Sequence, residues 1–507
     1  MKALIWKKNE SIIDGFICCE AAKLAKRHDG YHNYTYQESE RKRKRFLQTE
    51  RKYIKQPEWW ALDSKFNPYY VLKHHKQISR SIKKKLLDGS YMPNPPYIKK
   101  TTTRNGKKRI LTIYQVPDAA VSNYLYYKLL SKNKHRMSHY AYAYRDDKNV
   151  HFAIQDISID LKELDRVFVA EYDFSDFFGS ISHEYLFEQM NKNGYIITQK
   201  ERSLIKKFLP SDGVGIRLGT SISLFLANLV CWQLDRNLEL EGLRFARYAD
   251  DTIIWSRDYS KICAAHKIIR DFSEMSKVKI NQLKSGGISL LTCSDTSSEL
   301  AKTKTYIEFL GYKISTDKTS IREKSCLRIK ETISYILHQN LIQPLHETLL
   351  NANELSLPKG NYDPALVVAI SQIRRYLYGD LTDEKIIKYL NNTYKKLEFK
   401  GLMSFYPLVN DEEQLKALDG WLAHTVLTFL KRRNKILEDN SREVAEIPTR
   451  NYKLFLEYCS NLVVRGTIGA CKIPSFVRIY KAIQKGINTY GLDSVINPQS
   501  LKYDYED

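Results

Sequence analysis

Cysteine pairs at metal-ligand spacing are missing from this sequence. Its eight Cys, at 18, 19, 231, 263, 293, 326, 459 and 471, form no CxxC. That excludes a zinc ribbon or an HNH-type zinc site, and the eight read as buried thiols of a reducing cytoplasm. Long apolar runs are missing too, and none approaches a membrane span. The N-terminal MKALIWKKNESIIDGF has no apolar core followed by a small-residue cleavage site, so no signal peptide is expected. No fixed-period repeat is visible, which leaves stacked helical hairpins open. Acidic residues are in short supply: 58 Asp+Glu stand against 81 Lys+Arg, a formal net charge of +23. Such an excess points to a polyanionic partner. Anionic membrane is the competitor, and no anchor or amphipathic basic helix supports it. Aromatics are plentiful at 12%, with 35 Tyr, which excludes a disordered chain. At 507 residues and 43% hydrophobic, the chain is long enough for two to four domains with real cores.

Residues 1–95 read as a basic N-terminal helical region. Arg41, Lys42, Arg43, Lys44 and Arg45 form a block of like charge, with Phe46, Tyr53, Trp59, Trp60, Tyr69 and Tyr70 nearby. A charge block is commonly a solvated helix face. Interleaved with aromatics, it also suits a surface that neutralises phosphates. Tyr91-Met92-Pro93-Asn94-Pro95-Pro96 ends the helical pattern. Two β-prone runs, from Tyr97 and to Tyr114, flank Asn105-Gly106 and predict a β-hairpin. A helix should open at Pro117-Asp118. From about 165 to 315 strands and helices alternate. Beyond about 330 the pattern is helical, with an apolar stripe at Leu418, Trp421, Leu422, Val426, Phe429 and Leu430. Lys431-Arg432-Arg433 is expected at the end of that helix, where cations are favoured. Pro498 to Asp507 reads as a loose tail.

The chemistry is carried by carboxylates. Asp250 and Asp251 stand side by side in Arg247-Tyr248-Ala249-Asp250-Asp251-Thr252-Ile253-Ile254-Trp255, between β-prone residues. The simplest geometry is a hairpin with the Asp pair at its turn. Adjacent acids there need a compensating positive charge, and a hard divalent cation supplies one. Upstream, the strand-like run Val167–Tyr172 ends at Asp173. One Asp at a strand end beside an Asp-Asp hairpin is what two-metal phosphoryl transfer needs, with ions about 3.5–4 Å apart.

Tyr248-Ala249-Asp250-Asp251 resembles the YxDD box of reverse transcriptases. Asp173 with Phe177-Phe178 resembles their first catalytic box, and Arg217 to Leu229 resembles QGxxxSPxLANL. Asn281 with Lys284, Phe309-Leu310-Gly311-Tyr312, Gly106 to Ile110, and Ala143-Tyr144-Arg145 with His151 and Ala153 resemble further boxes in the family's order. The resemblance spans about residues 91–315. It implies an α+β right-hand polymerase core of fingers and palm, a mixed sheet with helices, then a helical thumb and a helical C-terminal region. The divisions it suggests are fingers 96–165, palm 166–318, thumb or connection 319–400, and a C-terminal region 401–507.

The resemblance also implies roles. Asp173, Asp250 and Asp251 would be catalytic and hold two Mg2+ ions, with Mn2+ as a substitute. Lys107 and Arg109 would contact the triphosphate, and Lys284 would approach it from the palm. Asp176, Phe177 and Phe178 would line the nucleotide pocket, Phe178 abutting the sugar so that deoxynucleotides are preferred. Gly219 would let backbone come close to the nucleotide. Phe309, Leu310 and Gly311 would be the primer grip. Arg145 and Arg41 to Arg45 would contact nucleic acid. The partners implied are an RNA template, DNA product and dNTPs, without membrane and with a homo-oligomer open.

Some positions depart from the family pattern. Leu218 stands where most relatives have Gln, and Ser221 and Leu224 replace prolines. Neither a Cys-pair endonuclease module nor the retron-type boxes are found. What remains resembles the stand-alone bacterial abortive-infection and defence branch, often served by a dedicated noncoding RNA. The expected function is a cytoplasmic RNA-directed DNA polymerase in antiphage defence. Two alternatives stay open: a polymerase with unconventional template or primer, such as a protein primer at Tyr503 or Tyr505, and a non-catalytic RNA-binding relic.

Overall fold

A computed structural model describes residues 12–45, 52–102, 106, 108–162, 164–293, 303–348, 357–358, 360–464 and 466–496. Lys107 and the expected tail, with Tyr503 and Tyr505, lie outside the described residues. The chain divides into two compact units. One holds residues 12–34 and 53–305; the other holds 35–45, 52 and 306–496.

α1 (Ile12–Arg45) belongs to the first unit up to Tyr34 and to the second from Thr35; α2 (Pro68–Asp88) is the next helix of the first unit. Asn67 caps α2 by accepting from Tyr69 N at 2.9 Å, Pro68 starts it, and left-handed Gly89 stops it. The expected hairpin follows as β1 (Tyr97–Thr102) and β2 (Lys108–Ile113), with Tyr97 opposite Ile113. Then come α3 (Val116–Asn133) and α4 (Val150–Leu161), and β3 (Arg166–Tyr172). A single turn, α5 (Phe177–Ser180), precedes α6 (His183–Lys192), α7 (Gln199–Phe208), α8 (Ser221–Val230) and α9 (Trp232–Leu240). The unit closes with β4 (Arg244–Tyr248), β5 (Asp251–Ser256), α10 (Tyr259–Ser276), β6 (Gly287–Thr292) and β7 (Thr303–Lys304).

Five strands form one sheet in the order β4-β5-β3-β6-β7, antiparallel except for β6 with β7. β3 is internal: Ala170 faces Ile254 on one side and Ile288 on the other. Such a strand must be apolar, and Val167, Val169 and Ala170 are buried. α10 lies against β3, β5 and β6 and buries Ile262, Ala265, Ile269 and Phe272. α8 is apolar almost throughout and packs on α3, where Ser122 Oγ accepts from Ile222 N at 3.0 Å. A mixed sheet with helices on it makes this unit α+β.

The second unit starts with a three-stranded antiparallel sheet: β8 (Ile307–Phe309), β9 (Tyr312–Ile314) and β10 (Thr319–Ile321). The rest is mainly helical: α11 (Glu323–Leu337), α12 (Gln343–Thr348), α13 (Pro364–Tyr378), α14 (Asp383–Leu390), α15 (Glu412–Asp439), α16 (Tyr452–Asn461) and α17 (Phe476–Tyr490).

Two sequence expectations are corrected here. The helix with the Leu418–Leu430 stripe does not end at Lys431-Arg432-Arg433; α15 runs on to Asp439. Arg433 is fully buried, its Nε 2.5 Å from Asp363 Oδ2 and its Nη1 donating to Leu341 O at 2.9 Å. A buried counter-ion, not the helix dipole, explains this cation. The cysteines are not uniformly buried either. Cys231, Cys326, Cys459 and Cys471 are, whereas Cys19 and Cys263 are exposed on α1 and α10. Among the described residues no disulfide joins any of them, and no helix is long and apolar enough to cross a membrane.

Candidate active site

β3 delivers Asp173 to the end of the sheet, where it is 8% exposed. The segment 280–285 fixes it there. Asn281 N donates to Asp173 O at 2.8 Å, and Asp173 N donates to Ser285 Oγ at 3.1 Å. Asn281 Nδ2 donates to Asp173 Oδ2 at 2.7 Å, and Lys284 Nζ lies 3.3 Å from the same oxygen. One loop therefore holds both the backbone and the carboxylate of Asp173.

β4 and β5 form the hairpin expected around the acid pair, with Tyr248 opposite Asp251. Ala249 and Asp250 make the two-residue turn, and Ala249 adopts φ 59. A left-handed non-glycine residue costs on the order of 1 kcal/mol. The turn is held from below: Arg247 Nη1 donates to Ala249 O at 3.3 Å. Arg247 is itself 1% exposed and grips Asp235 of α9 with two bonds of 2.6 Å. Asn228 of α8 accepts from Arg247 and donates to Ala143 O at 2.9 Å. Residues 140–142 run beside β4, bonded to the Arg247 backbone on both sides at 2.9 Å. Sequence reasoning missed this support. Its signals were a charged residue two positions before the turn and a lone Asn in the apolar α8.

The site carries excess negative charge. Burial first, then Asp250 and Asp173, push the Asp251 carboxyl up to about 7; Lys284 pulls against them. Asp251 stands close enough to Asp173 and Asp250 for the carboxylates to repel, which favours a proton or cation among them. Among the described residues no three His, Cys, Asp or Glu side chains form a ready-made metal cage. Hard carboxylate donors crowded until one retains its proton nevertheless fit a divalent cation.

The other expected site residues fall in several places. Asp176 is exposed and left-handed at φ 44, and its carboxylate leaves no room for a Cβ on Gly179. Phe177 is buried beside Phe174, whereas Phe178 is half-buried and edge-on to Tyr144 at 6.3 Å. Arg109 is half-buried on β2, opposite Thr101. Gly219 has φ 105, and a Cβ there would lie 2.6 Å from Thr112 O of β2. Thr112 N also donates to Leu218 O at 2.9 Å. The glycine is thus required by the hairpin's backbone. Gly219→Ala should lower stability by about 1–3 kcal/mol, read from denaturant midpoints at unchanged m-value.

Arg145 is turned inward. Its guanidinium bonds Asp147 at 2.9 and 2.7 Å and Ser138 O at 2.7 Å, with its side chain 4% exposed. It fastens the 138–147 loop, so a direct phosphate contact does not fit its geometry. In the basic block Arg43 is exposed and bonds Glu40 at 3.2 Å. The side chains of Arg41, Lys42, Lys44 and Arg45 lie outside the described part. In the first unit, α2 exposes Lys73, Lys76, Arg80, Lys83, Lys84 and Lys85. Trp59 stacks on Tyr97 at 5.4 Å, with Lys99 Nζ 5.2 Å from its ring centroid. Phe309, Leu310 and Gly311 are in the second unit, where Leu310 (φ 48) and Gly311 (φ 86) turn β8 into β9.

Residues 98–314 match the family model described as reverse transcriptase (RNA-dependent DNA polymerase). This segment is similar to reverse transcriptase domains. It covers under half of the chain and contains every carboxylate of the site. The α+β fold of the matched segment is RT-like. Solved structures similar to the chain include apo telomerase from Candida tropicalis truncated from its C-terminal domain: 13% identity, 49% of this chain, 60% of that one, TM-score 0.33. Another is telomerase from Candida albicans with a TWJ fragment of telomeric RNA: 11% identity, 74% and 67% coverage, TM-score 0.35. A third is apo telomerase from Candida tropicalis: 12% identity, 83% and 73% coverage, TM-score 0.37. The chain thus spans less than two thirds of the first of these. No curated protein matches the sequence.

Proposed function

We propose that the whole chain copies an RNA template into DNA from dNTPs. The observation that carries this reading is the gathering of Asp173, Asp250 and Asp251 at one end of the sheet, inside the segment that matches the reverse transcriptase model. In the reaction a primer 3′-hydroxyl attacks the α-phosphate of a dNTP in line, and pyrophosphate leaves. Asp173, Asp250 and Asp251 would hold two Mg2+ ions, or Mn2+ in their place. Bound there, the metal stabilises charge on the attacking and leaving oxygens. Lys284 is then released from Asp173 and meets triphosphate oxygens, as Lys107 and Arg109 do from the hairpin. The loop 280–285 keeps Asp173 from swinging, and Arg247 keeps the Ala249-Asp250 turn in register.

Phe178 supports a preference for deoxynucleotides, since its ring is wedged between Phe177 and Tyr144. Phe178→Ala should raise ribonucleotide use relative to deoxynucleotide use by about 10-fold or more, measured as a ratio of kcat/KM values. The fingers, palm, thumb and C-terminal divisions fit this reading, with the primer grip at Phe309, Leu310 and Gly311. The exposed cations of α2 and the block Arg41 to Arg45 supply phosphate contacts.

The finer role is a bacterial, cytoplasmic antiphage enzyme served by a dedicated noncoding RNA. That role rests on the resemblance of the boxes to the abortive-infection branch. The test of activity is Mg2+-dependent dNTP incorporation by purified protein on an RNA template with an annealed primer. Absence of incorporation on any supplied or copurifying RNA would overturn the reading. A second reading, copying with unconventional template or primer, is favoured by Leu218, which offers its carbonyl to Thr112 but no side-chain hydrogen bond. Sequencing the DNA made against the copurifying RNA separates the two.

A further inference from the structure

We infer that a cavity of about 590 Å3 beside α9 is a second binding site, for a nucleoside 5′-phosphate. The occupant is either a free nucleotide or an unpaired nucleotide of a bound RNA. The cavity lies between the 135–139 segment, Asn193 and the first turns of α9. Its size falls within the range of about 300–1,000 Å3 usual for small-ligand sites.

The chemistry of the walls selects the ligand class. Trp232 is half-buried, and its indole Nε1 donates to Arg136 O at 3.1 Å, which fixes the ring as a platform. Two exposed guanidinium groups, Arg136 and Arg236, and two imidazoles, His135 and His139, surround it. A flat ring calls for a flat partner, and the cations call for an anion. An inorganic anion would leave the Trp idle, and an apolar aromatic would leave the cations idle. A nucleotide uses both.

Asn193 closes the floor of the cavity: it is 3% exposed, and its Oδ1 accepts from Tyr195 N at 3.3 Å. Glu239, 3.3 Å from Arg236 Nη1, offers an acceptor for a base amino group at the rim. The inner wall is Asp235, the residue that grips Arg247 under the Ala249-Asp250 turn. The site is therefore separate from the polymerase carboxylates yet joined to their support by one residue.

The test uses the full chain carrying Asp250→Ala and Asp251→Ala, without divalent metal, so that binding at the polymerase centre is suppressed. Calorimetric titration with AMP, GMP, CMP and UMP should give one site for at least one of them. Trp232→Leu or Arg236→Glu should weaken it by about 10-fold or more. Arg236 is 52% exposed, so its variant should keep the parent melting temperature and exclude a folding defect. In a second arm, RNA carrying 4-thiouridine is photocrosslinked and the adduct is mapped by mass spectrometry. Mononucleotide binding identifies a free ligand. A Trp232-dependent crosslink in 232–239 without it identifies an RNA nucleotide. Neither signal, or signals undiminished in both variants, overturns the site.

Discussion

Asp250→Ala with Asp251→Ala should reduce DNA synthesis by at least roughly 1,000-fold and leave RNA affinity within about twofold of the parent. The reasoning is local. These two side chains stand at a turn whose backbone is held by Arg247, so truncating them removes charge without removing the hairpin. Primer extension and filter binding on the same preparation check both halves. Undiminished synthesis would dismiss the site assignment. The same geometry predicts a gain in stability. The Asp251 carboxyl is raised from its ordinary 3.8 to about 7, so the folded protein keeps a proton that the unfolded chain releases. That contribution is full below about pH 4 and is lost as pH rises through about 7. In chelator, the melting temperature should therefore fall between those limits. Mg2+ should flatten the fall, and Asp251→Asn should remove most of it. A melting temperature independent of pH in chelator would contradict the crowded-carboxylate account.

The second large effect is expected away from the chemistry. Asp235→Ala leaves the Arg247 guanidinium buried with only Asn228 and a carbonyl for company. Removing one partner of a buried pair costs about 3–5 kcal/mol. The loss should appear as a lower denaturant midpoint and, above the transition, as inactive protein. Replacing both partners, with Asp235→Leu and Arg247→Met, removes the stranded charge and should recover more than half of the lost stability. The recovered protein should still synthesise poorly, because the Ala249 carbonyl has lost its donor. If the double variant were as unstable as the single one, the penalty would lie in packing rather than in charge.

Local patterns made part of this legible from sequence. Alternation around Asn105-Gly106 predicted a hairpin over Tyr97–Tyr114, and two paired strands occupy that stretch. An apolar run ending at Asp173 predicted the strand that carries it, because an internal strand must be apolar on both faces. What failed was the reading of individual charges. The local pattern predicts Arg433 as a helix-end cation, but its counter-ion, Asp363, lies 70 residues away. The box resemblance points Arg145 at nucleic acid, while Asp147, two residues on, holds its guanidinium. Asp235 was not singled out at all, since a lone acid on a short helix looks like any solvated face. Composition can set the sign of a charge and its abundance. Where it points depends on long-range pairing, which spacing along the chain does not encode.

The stitch between Thr112 and residues 218–219 has a mechanical meaning. The root of the β1–β2 hairpin is clamped by one hydrogen bond and by a backbone approach too close for any side chain. Its outer stretch carries Lys108, Arg109 and Ile110 beyond that clamp. The hairpin is thus a cantilever with a fixed anchor. Any movement of its outer part is a bend of the paired strands beyond Thr112, and stiffness of that ribbon, rather than a hinge at its base, sets how far its cations travel.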